Sequence, residues 1–387
     1  MEKLKVIIIG AGMGGLTTGI ALQQAGYTVE IYDRVRELRP AGAAISLWSN
    51  GVKVLNHLGL GQAIAQVGGK MDYMTYYDLN GEMLTGFSLQ PLINQVGQRP
   101  YPVTRTELQQ LLLHAIAPGT VRLGTKCIGV EQDQESVTAI FENGDRATGD
   151  VLIAADGTHS ELRNYVMGRN IKRQYVGYVN WNGLVAMSDD LAPKTSWDMY
   201  VGHHQRASLM PVGGDRFYFF LDVPMPQGSL GSPETHREDL TIAFKGWADP
   251  VQRLIQRLDP TTTTRVEIHD TEPLTTLVRG RVALIGDAAH SMAPDLGQGG
   301  CQALEDAWVL ANYLRTTTLG VEDALQRYNT ARQDRVANIV DRARERSDIT
   351  HGTDPVKTQA WYDELKQEDG TTIMGAIART ILSGPLN

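Results

Sequence analysis

Cysteine is nearly absent from this chain. Cys127 and Cys301 are the only two among 387 residues. They are too few for a disulfide framework and have no metal-ligand spacing, so no metal site is expected and a reducing cytoplasm is the expected compartment. An excess of basic charge is missing too. The formal net charge is −8, which argues against general affinity for nucleic acid or an anionic membrane, though not against a local pocket for a small anion. No apolar run approaches the roughly 20 residues of a membrane span. Lys3 and Lys5 before Val6 to Ile9 hint at a signal peptide, but glycines begin at Gly10 and the run is too short. Repeats and low-complexity tracts are not visible. What remains is a soluble chain with enough apolar residues for one large or two ordinary domains.

The stretch from Arg281 to Asp306 organises the rest. An apolar run, Val282 to Ile285, has buried-strand length and closes at Gly286 and Asp287. A glycine-bearing loop, Pro294 to Gly300, then leads into a helix marked by Ala303, Leu304, Ala307, Leu310, Ala311 and Leu314. A strand, a lone carboxylate and glycines before a helix suit a large polar cofactor. The carboxylate binds hydroxyls, and the helix start offers free N–H groups and positive dipole character. An ordinary strand-loop-helix crossover has the same outline.

The N-terminus narrows that choice. Leu4 to Ile9 reads as a buried parallel strand, Gly10-Ala11-Gly12-Met13-Gly14-Gly15 follows, and Leu16, Ile20 and Leu22 open a helix ending near Gly26. A second strand, Thr28 to Tyr32, delivers Asp33. Gly10, Gly12 and Gly15 thus occupy the three glycine positions of a dinucleotide fingerprint, with an acid about twenty residues on to accept from a ribose.

Later segments repeat this logic. Ala41 to Ser46 suits a loop pressed on a cofactor, and Asn50 to Leu60 has helical periodicity. Arg105 opens a helix capped by Thr104, with Glu107 completing a capping box; it binds a phosphate or pairs with a surface acid. Thr138 to Phe141 and Asp150 to Ala154 read as strands flanking an Asn143-Gly144 turn, the second ending at Asp156-Gly157, with Ser160 and Arg163 beyond. By contrast, Asp72 to Phe87 and Gln174 to Asp270 alternate like antiparallel strands, with turns at Asn80-Gly81 and Gly213-Gly214-Asp215. The expected architecture is α/β. A Rossmann-like cofactor domain (1–72, 101–173 and 272–347) carries an inserted, mainly antiparallel sheet (73–100 and 174–271) and a C-terminal helical segment (348–387). Charged pairs along the helix Val321 to Arg346 are expected at its surface, and His290 is expected to be structural.

Taken together, Gly10 to Gly15, Asp156-Gly157 with Arg163, and Gly286-Asp287 resemble the single-component FAD-dependent aromatic hydroxylases. A closer resemblance, running nearly end to end, is to the bacterial FAD-dependent urate hydroxylases. It is carried by Gly42 to Lys53, Tyr175 to Val185, Arg206 to Pro224, Ala293 to Ala307, Asp348 to Gly352 and Ile381 to Leu386. Departures are mild: Asp33 stands where flavoproteins more often carry glutamate, and Ser49 replaces a proline.

The resemblance implies an FAD-dependent, NADH- and O2-using monooxygenase that hydroxylates urate at C5 to 5-hydroxyisourate through a flavin C4a-hydroperoxide. It assigns to the cofactor Gly10, Gly12, Gly14, Gly15, Asp33, Arg34, Ser46, Arg105, Cys127, Asp156, Asp287, Gly297, Gln298, Gly299, Gly300 and Cys301. It implies Arg206 and Tyr218 as catalytic residues, and Asn180, Arg206, Tyr218, Phe219 and Asp295 as substrate contacts. Residue chemistry agrees in part. A guanidinium offers a planar fork to an oxyanion, and Arg206, Ser208 and Met210 share a face if their strand is regular. Tyr218 and Phe219 point to opposite faces unless a bulge intervenes; Asn180 offers an amide to a purine-like edge, and Asp295 accepts an N–H or makes an Asx-turn. Competing readings are a hydroxylase of a phenolic acid such as salicylate, a carotenoid-type epoxidase, or a non-catalytic FAD-binding redox protein.

Overall fold

The computed structural model describes residues 4–38, 42–229 and 231–386. Lys3, Ala41 and the extreme ends of the expected domains lie outside the described residues. A six-stranded sheet runs in the order Val278–Arg279, Val282–Leu284, Val151–Ala154, Lys5–Ile9, Thr28–Tyr32, Val121–Arg122. Its four central strands are parallel. They read as continuous apolar runs because helices cover both faces: Val6, Ile7, Ile8, Leu152 and Ile153 are fully buried. The two apolar runs found in sequence around Gly10 and Gly286 are both central here.

Helix Met13–Gln24 follows the first strand and packs on helix Gly299–Thr316, with Gly14 lying 3.4 Å, measured from an ideal Cβ, from Ala303 Cβ. The Asn143-Gly144 turn joins Val137–Phe141 to Arg146–Gly149, which form a three-stranded antiparallel sheet with Cys127–Gln132. Val151–Ala154 is the strand expected at Asp150 to Ala154 and enters the parallel sheet, while Arg146–Gly149, before it, is an additional strand not expected from the sequence.

The second sheet has seven strands in the order Thr264–Thr271, Arg173–Ala186, Arg216–Pro224, Gln205–Val212, Ser196–Gly202, Tyr73–Asp78, Met83–Ser88. All pairings are antiparallel except that between Tyr73–Asp78 and Ser196–Gly202. Alternation sorts its residues. Trp181, Leu209, Phe217, Phe219 and Leu221 form an apolar core on one face with helices His236–Ala243 and Asp249–Arg257. The opposite face turns toward the cofactor-type domain and the 31-residue helix Val321–His351. Among the described residues no helix is long and apolar enough to cross a membrane.

Candidate active site

The three fingerprint glycines have different physical jobs. A side chain on Gly10, whose φ is +111°, would collide with the Ala155 carbonyl, and one on Gly15 with the Gly10 carbonyl. Both are required for the strand-turn-helix to close. At Gly12 an added Cβ meets nothing within 4 Å, so its lack of a side chain serves open space and not packing. The helix beginning at Met13 has no side-chain cap and no acid in its first turn, leaving its N–H groups to an anion. Asp33 accepts from the Ala11 N–H at 2.7 Å and the Val35 N–H at 3.0 Å. It therefore shapes the glycine turn as well as ending the strand. Arg34, next to it, is exposed.

The other two cofactor-type motifs meet through one residue that is fully buried. Arg163 donates from Nε to the Ala288 carbonyl at 2.7 Å, from Nη2 to the Asp287 carbonyl at 2.5 Å, and to the Thr158 carbonyl at 3.3 Å. It ties the Asp156-Gly157 turn to the Gly286-Asp287 turn across the sheet edge. The Asp287 side chain stays exposed at the head of a short helix, between buried neighbours. Asp156 accepts from the Glu161 N–H at 3.1 Å, and burial holds its carboxyl above the usual range. Cys127 begins the strand Cys127–Gln132, and burial raises its thiol.

Arg105 opens helix Arg105–Ala115 and is exposed beside Gly42. Thr104 caps that helix by accepting from the Glu107 N–H at 3.2 Å. The Glu107 carboxylate, however, accepts from the Thr104 hydroxyl at 2.6 Å, not from its backbone N–H as a full capping box requires.

The loop Pro294 to Gly300 touches both regions. Gly297, at φ +61°, sits against Ser46 Oγ and 3.0 Å, by ideal Cβ, from Trp48 Nε1, so any side chain there would push into the 42–48 loop. Helix Gly299–Thr316 lacks a side-chain cap, so the N–H groups of Gly299, Gly300 and Cys301 have no intrahelical partner. Gln298 is buried and accepts from Asn50 Nδ2 at 3.0 Å and Gln302 Nε2 at 3.0 Å, which holds the loop from beneath. Cys301 is buried and its thiol is pushed up to about 12. Its side chain is packing, and its N–H is what it offers.

On the inward face of the second sheet, register builds three cross-strand rows. Asn180, Asp222 and Arg206 form the first; Asn182, Phe220 and Ser208 the second; Leu184, Tyr218 and Met210 the third. The rows span about 13 Å, four residues at roughly 3.3 Å each. Pairing is regular from Arg216 to Pro224, with no bulge. The Phe219 ring therefore points to the opposite face and packs in the outer core against Gly183. Only its backbone is available on the inward side. Tyr218 is half-buried, and burial raises its phenol to about 12.

Arg206 is not an isolated cation. Its Nε donates to Asp222 Oδ2 at 2.8 Å and its Nη2 to Asp295 Oδ1 at 3.0 Å, while Phe220 lies under the guanidinium at 5.1 Å. Asn180 Nδ2 donates to the other Asp222 oxygen at 2.6 Å, Asn182 Nδ2 to Asn180 Oδ1 at 2.8 Å, and the Ala43 N–H to Asn182 Oδ1 at 3.2 Å. The Tyr178 hydroxyl donates to Asp295 Oδ2 at 2.7 Å. One connected chain thus runs from the cofactor-side loop at Ala43 to the loop at Asp295. Its side chains are buried, Asp222 and Asp295 completely, and the paired carboxylates hold the Arg206 guanidinium firmly protonated. Asp295 accordingly spends its carboxylate on Arg206 and Tyr178, not on an Asx-turn. Nη1 of Arg206 has no partner among the described residues and is the edge left for a ligand.

The chain as a whole is similar to known proteins. The chain matches the FAD binding domain family over residues 3–343. It is 51% identical to the FAD-dependent urate hydroxylase of Klebsiella pneumoniae over 99% of this chain and 100% of that one. It is 50% identical to the FAD-dependent urate hydroxylase of Mycolicibacterium vanbaalenii over 99% and 98%. The crystal structure of Klebsiella pneumoniae HpxO complexed with FAD and uric acid superposes with a TM-score of 0.97, at 51% identity, over 99% of this chain and 98% of that one. The chain belongs to the FAD-dependent urate hydroxylase family. It is an enzyme, and the FAD of that family fits what is built here: open space at Gly12, two uncapped helix starts and an exposed Asp287.

The geometry adds residues beyond those expected from the sequence. Asp222, Tyr178 and Asn182 complete the Arg206 chain, and Asp222 had a signal: a lone acid in the apolar strand Phe217 to Val223 must have a partner. His290 has a partner too, Asp306, with Nε2 to Oδ2 at 2.7 Å. Arg332, expected at the surface of its helix, is 1% exposed and binds Asp306, Glu305 and Gln302. Its helix packs on Gly299–Thr316, so its charge faces the carboxylates there and not water.

Proposed function

We propose that this enzyme hydroxylates urate at C5, consuming NADH and O2 and producing 5-hydroxyisourate, NAD+ and water. The observation that carries the substrate reading is the free edge of Arg206. It is a buried guanidinium clamped by Asp222 and Asp295, on the same face as two amides and a tyrosine, next to a cofactor loop. A flat, polar anion is what such a row recognises: the guanidinium edge takes an oxyanion, and Asn180 and Tyr218 line the same wall. The apolar polyene of a carotenoid would leave the free Nη1 edge of Arg206 buried and unpaired, which is costly. The uric acid bound by the half-identical HpxO supports the same choice.

FAD, when bound, supplies the redox chemistry of NADH oxidation and O2 activation. Gly10 to Gly15 and Asp33 would hold its ADP portion, Asp287 its ribityl hydroxyls, and the N–H groups of Gly299 to Cys301 the pyrimidine end. There the helix start stabilises negative charge acquired on reduction. Arg206 orients urate through Nη1, with Asp222 and Asp295 fixing the guanidinium plane. Asp295 joins the two halves of the site, since its loop continues into the cofactor-binding helix start. The test is NADH oxidation by the yellow purified protein with and without urate, alongside salicylate. Urate-dependent oxidation with urate consumption is expected. Coupled consumption of salicylate instead would favour a phenolic-acid hydroxylase.

A further inference from the structure

His351 stands behind Arg206 and is used by nothing described so far. It ends helix Val321–His351 and is 3% exposed. Its Nδ1 lies 2.9 Å from the His204 carbonyl. A carbonyl only accepts, so Nδ1 carries the proton, and Nε2 of the neutral ring is a bare lone pair. That nitrogen has no hydrogen-bond partner among the described residues. It points between two carboxylates, 3.6 Å from Asp222 and 3.7 Å from Asp295. These are the two acids that hold Arg206.

The carbonyl that sets the tautomer sits on a strained turn. His203 and His204 form the tip of the Gly202–Gln205 hairpin and both have positive φ, 49° and 62°, which costs non-glycine residues roughly 1 kcal/mol or more each. The His204 ring is anchored by Thr358 at 3.1 Å, which holds the turn where its carbonyl meets His351. Tyr178 stacks on the His351 ring with centroids 4.1 Å apart. The charged or titratable groups facing the ring are therefore Asp222, Asp295, Arg206 and Tyr178, from three strands and one loop. On its own helix, Asp348 is paired with Lys357 at 2.9 Å and Arg344 with Asp270 at 2.8 Å.

We propose that His351 is a proton-accepting positioning residue: when urate binds beside Arg206, Nε2 of His351 takes up one proton from solvent. Before binding, one cation faces two carboxylates, and burial outweighs their attraction and keeps the ring neutral. An anionic ligand on Nη1 adds a second uncompensated negative charge to the same enclosed cluster. Protonation of Nε2 offsets that charge and turns a lone pair aimed at two acids into a donor between them. The clamp on Arg206 is thereby tightened when substrate is present.

This inference rests on the urate reading, and titration calorimetry of the FAD-loaded, oxidised enzyme separates the two. Urate binding at about pH 7.5 is measured in buffers of different ionisation enthalpy, with flavin absorbance reporting binding independently. The expected result is a buffer-dependent heat corresponding to uptake approaching one proton per urate, lost in His351→Gln while urate still perturbs the flavin spectrum. A second measurement needs no variant: urate Kd in the native enzyme should rise with pH, with a slope equal to that uptake. Urate binding without uptake, a flat pH dependence, or equal uptake in His351→Gln overturns the role of His351 alone. Absence of any urate binding overturns both readings.

Discussion

The proposed chemistry concentrates on Arg206, whose guanidinium is held by neighbours beyond its own strand. Period-two alternation is enough to place Arg206, Ser208, Met210 and Tyr218 on one face, so that much was legible. Asp222 and His351 were not, because their meaning depends on pairing across 16 residues for Asp222 and on the end of a helix far along the chain for His351. Replacing Arg206 with Gln should leave FAD bound while removing a buried charge-assisted contact worth roughly 2–5 kcal/mol. Urate-dependent turnover should therefore fall by about 30-fold or more. Unchanged kcat/KM for urate would take Arg206 out of the site. Asp222→Ala leaves Arg206 half-paired and Asn180 without its acceptor, and should cost about 3–5 kcal/mol of stability in urea titration.

At the scale of elements, the strand-turn-helix units carry their signatures locally, which explains why the Gly10 to Gly15 and Gly286 to Gly300 regions could be recognised from sequence. The Arg146–Gly149 strand was missed while Val151–Ala154 was legible, because Arg-Ala-Thr-Gly carries no apolar run and Val-Leu-Ile-Ala does. Likewise the Glu107 side chain could be placed near Thr104 but not assigned its donor, which is the hydroxyl and not the backbone N–H. The glycines divide the consequences of mutation. Gly12→Val enters open space and should keep the melting temperature of FAD-free protein within a few degrees, costing about 1 kcal/mol at most, while flavin absorbance of the purified protein is lost. Gly15→Val collides with the Gly10 carbonyl and should prevent folding. Equal FAD retention in both variants would contradict the division.

Across the whole molecule, buried charge links the layers. Arg332 joins Asp306, which in turn accepts from the Gly286 N–H at 2.8 Å and from His290. The far helix thus braces the turn that presents Asp287. Sequence could not reveal this, since an arginine among Asp/Arg-rich helical turns looks solvated until the helix against it is known. Arg332→Met should cost about 3–5 kcal/mol, because buried Asp306 and Glu305 each lose one partner and keep His290 and Arg335. Asp306 is desolvated, yet the His290 and Arg332 charges hold it well below the usual carboxylate range. Its contribution is therefore complete above the unfolded value of about 3.9 and is lost as pH falls through the native one. Asp198 behaves oppositely. It is 2% exposed, and burial raises it to about 6. Its stabilising protonation is complete below about pH 3.9 and is lost as pH rises through about 6. Asp198→Asn should consequently stabilise the enzyme by about 1–3 kcal/mol at neutral pH and hardly at all near pH 4. A variant without pH-dependent gain would contradict that burial.

The stoichiometry of the reaction is the most direct test of the central reading. Oxygen uptake, NADH oxidation and urate loss should be followed together in one cuvette, with the product identified by its ultraviolet spectrum and mass. Equal consumption of all three, with product heavier than urate by one oxygen atom, is the predicted result. NADH oxidation that is indifferent to urate, or that yields only hydrogen peroxide with urate unchanged, would contradict it.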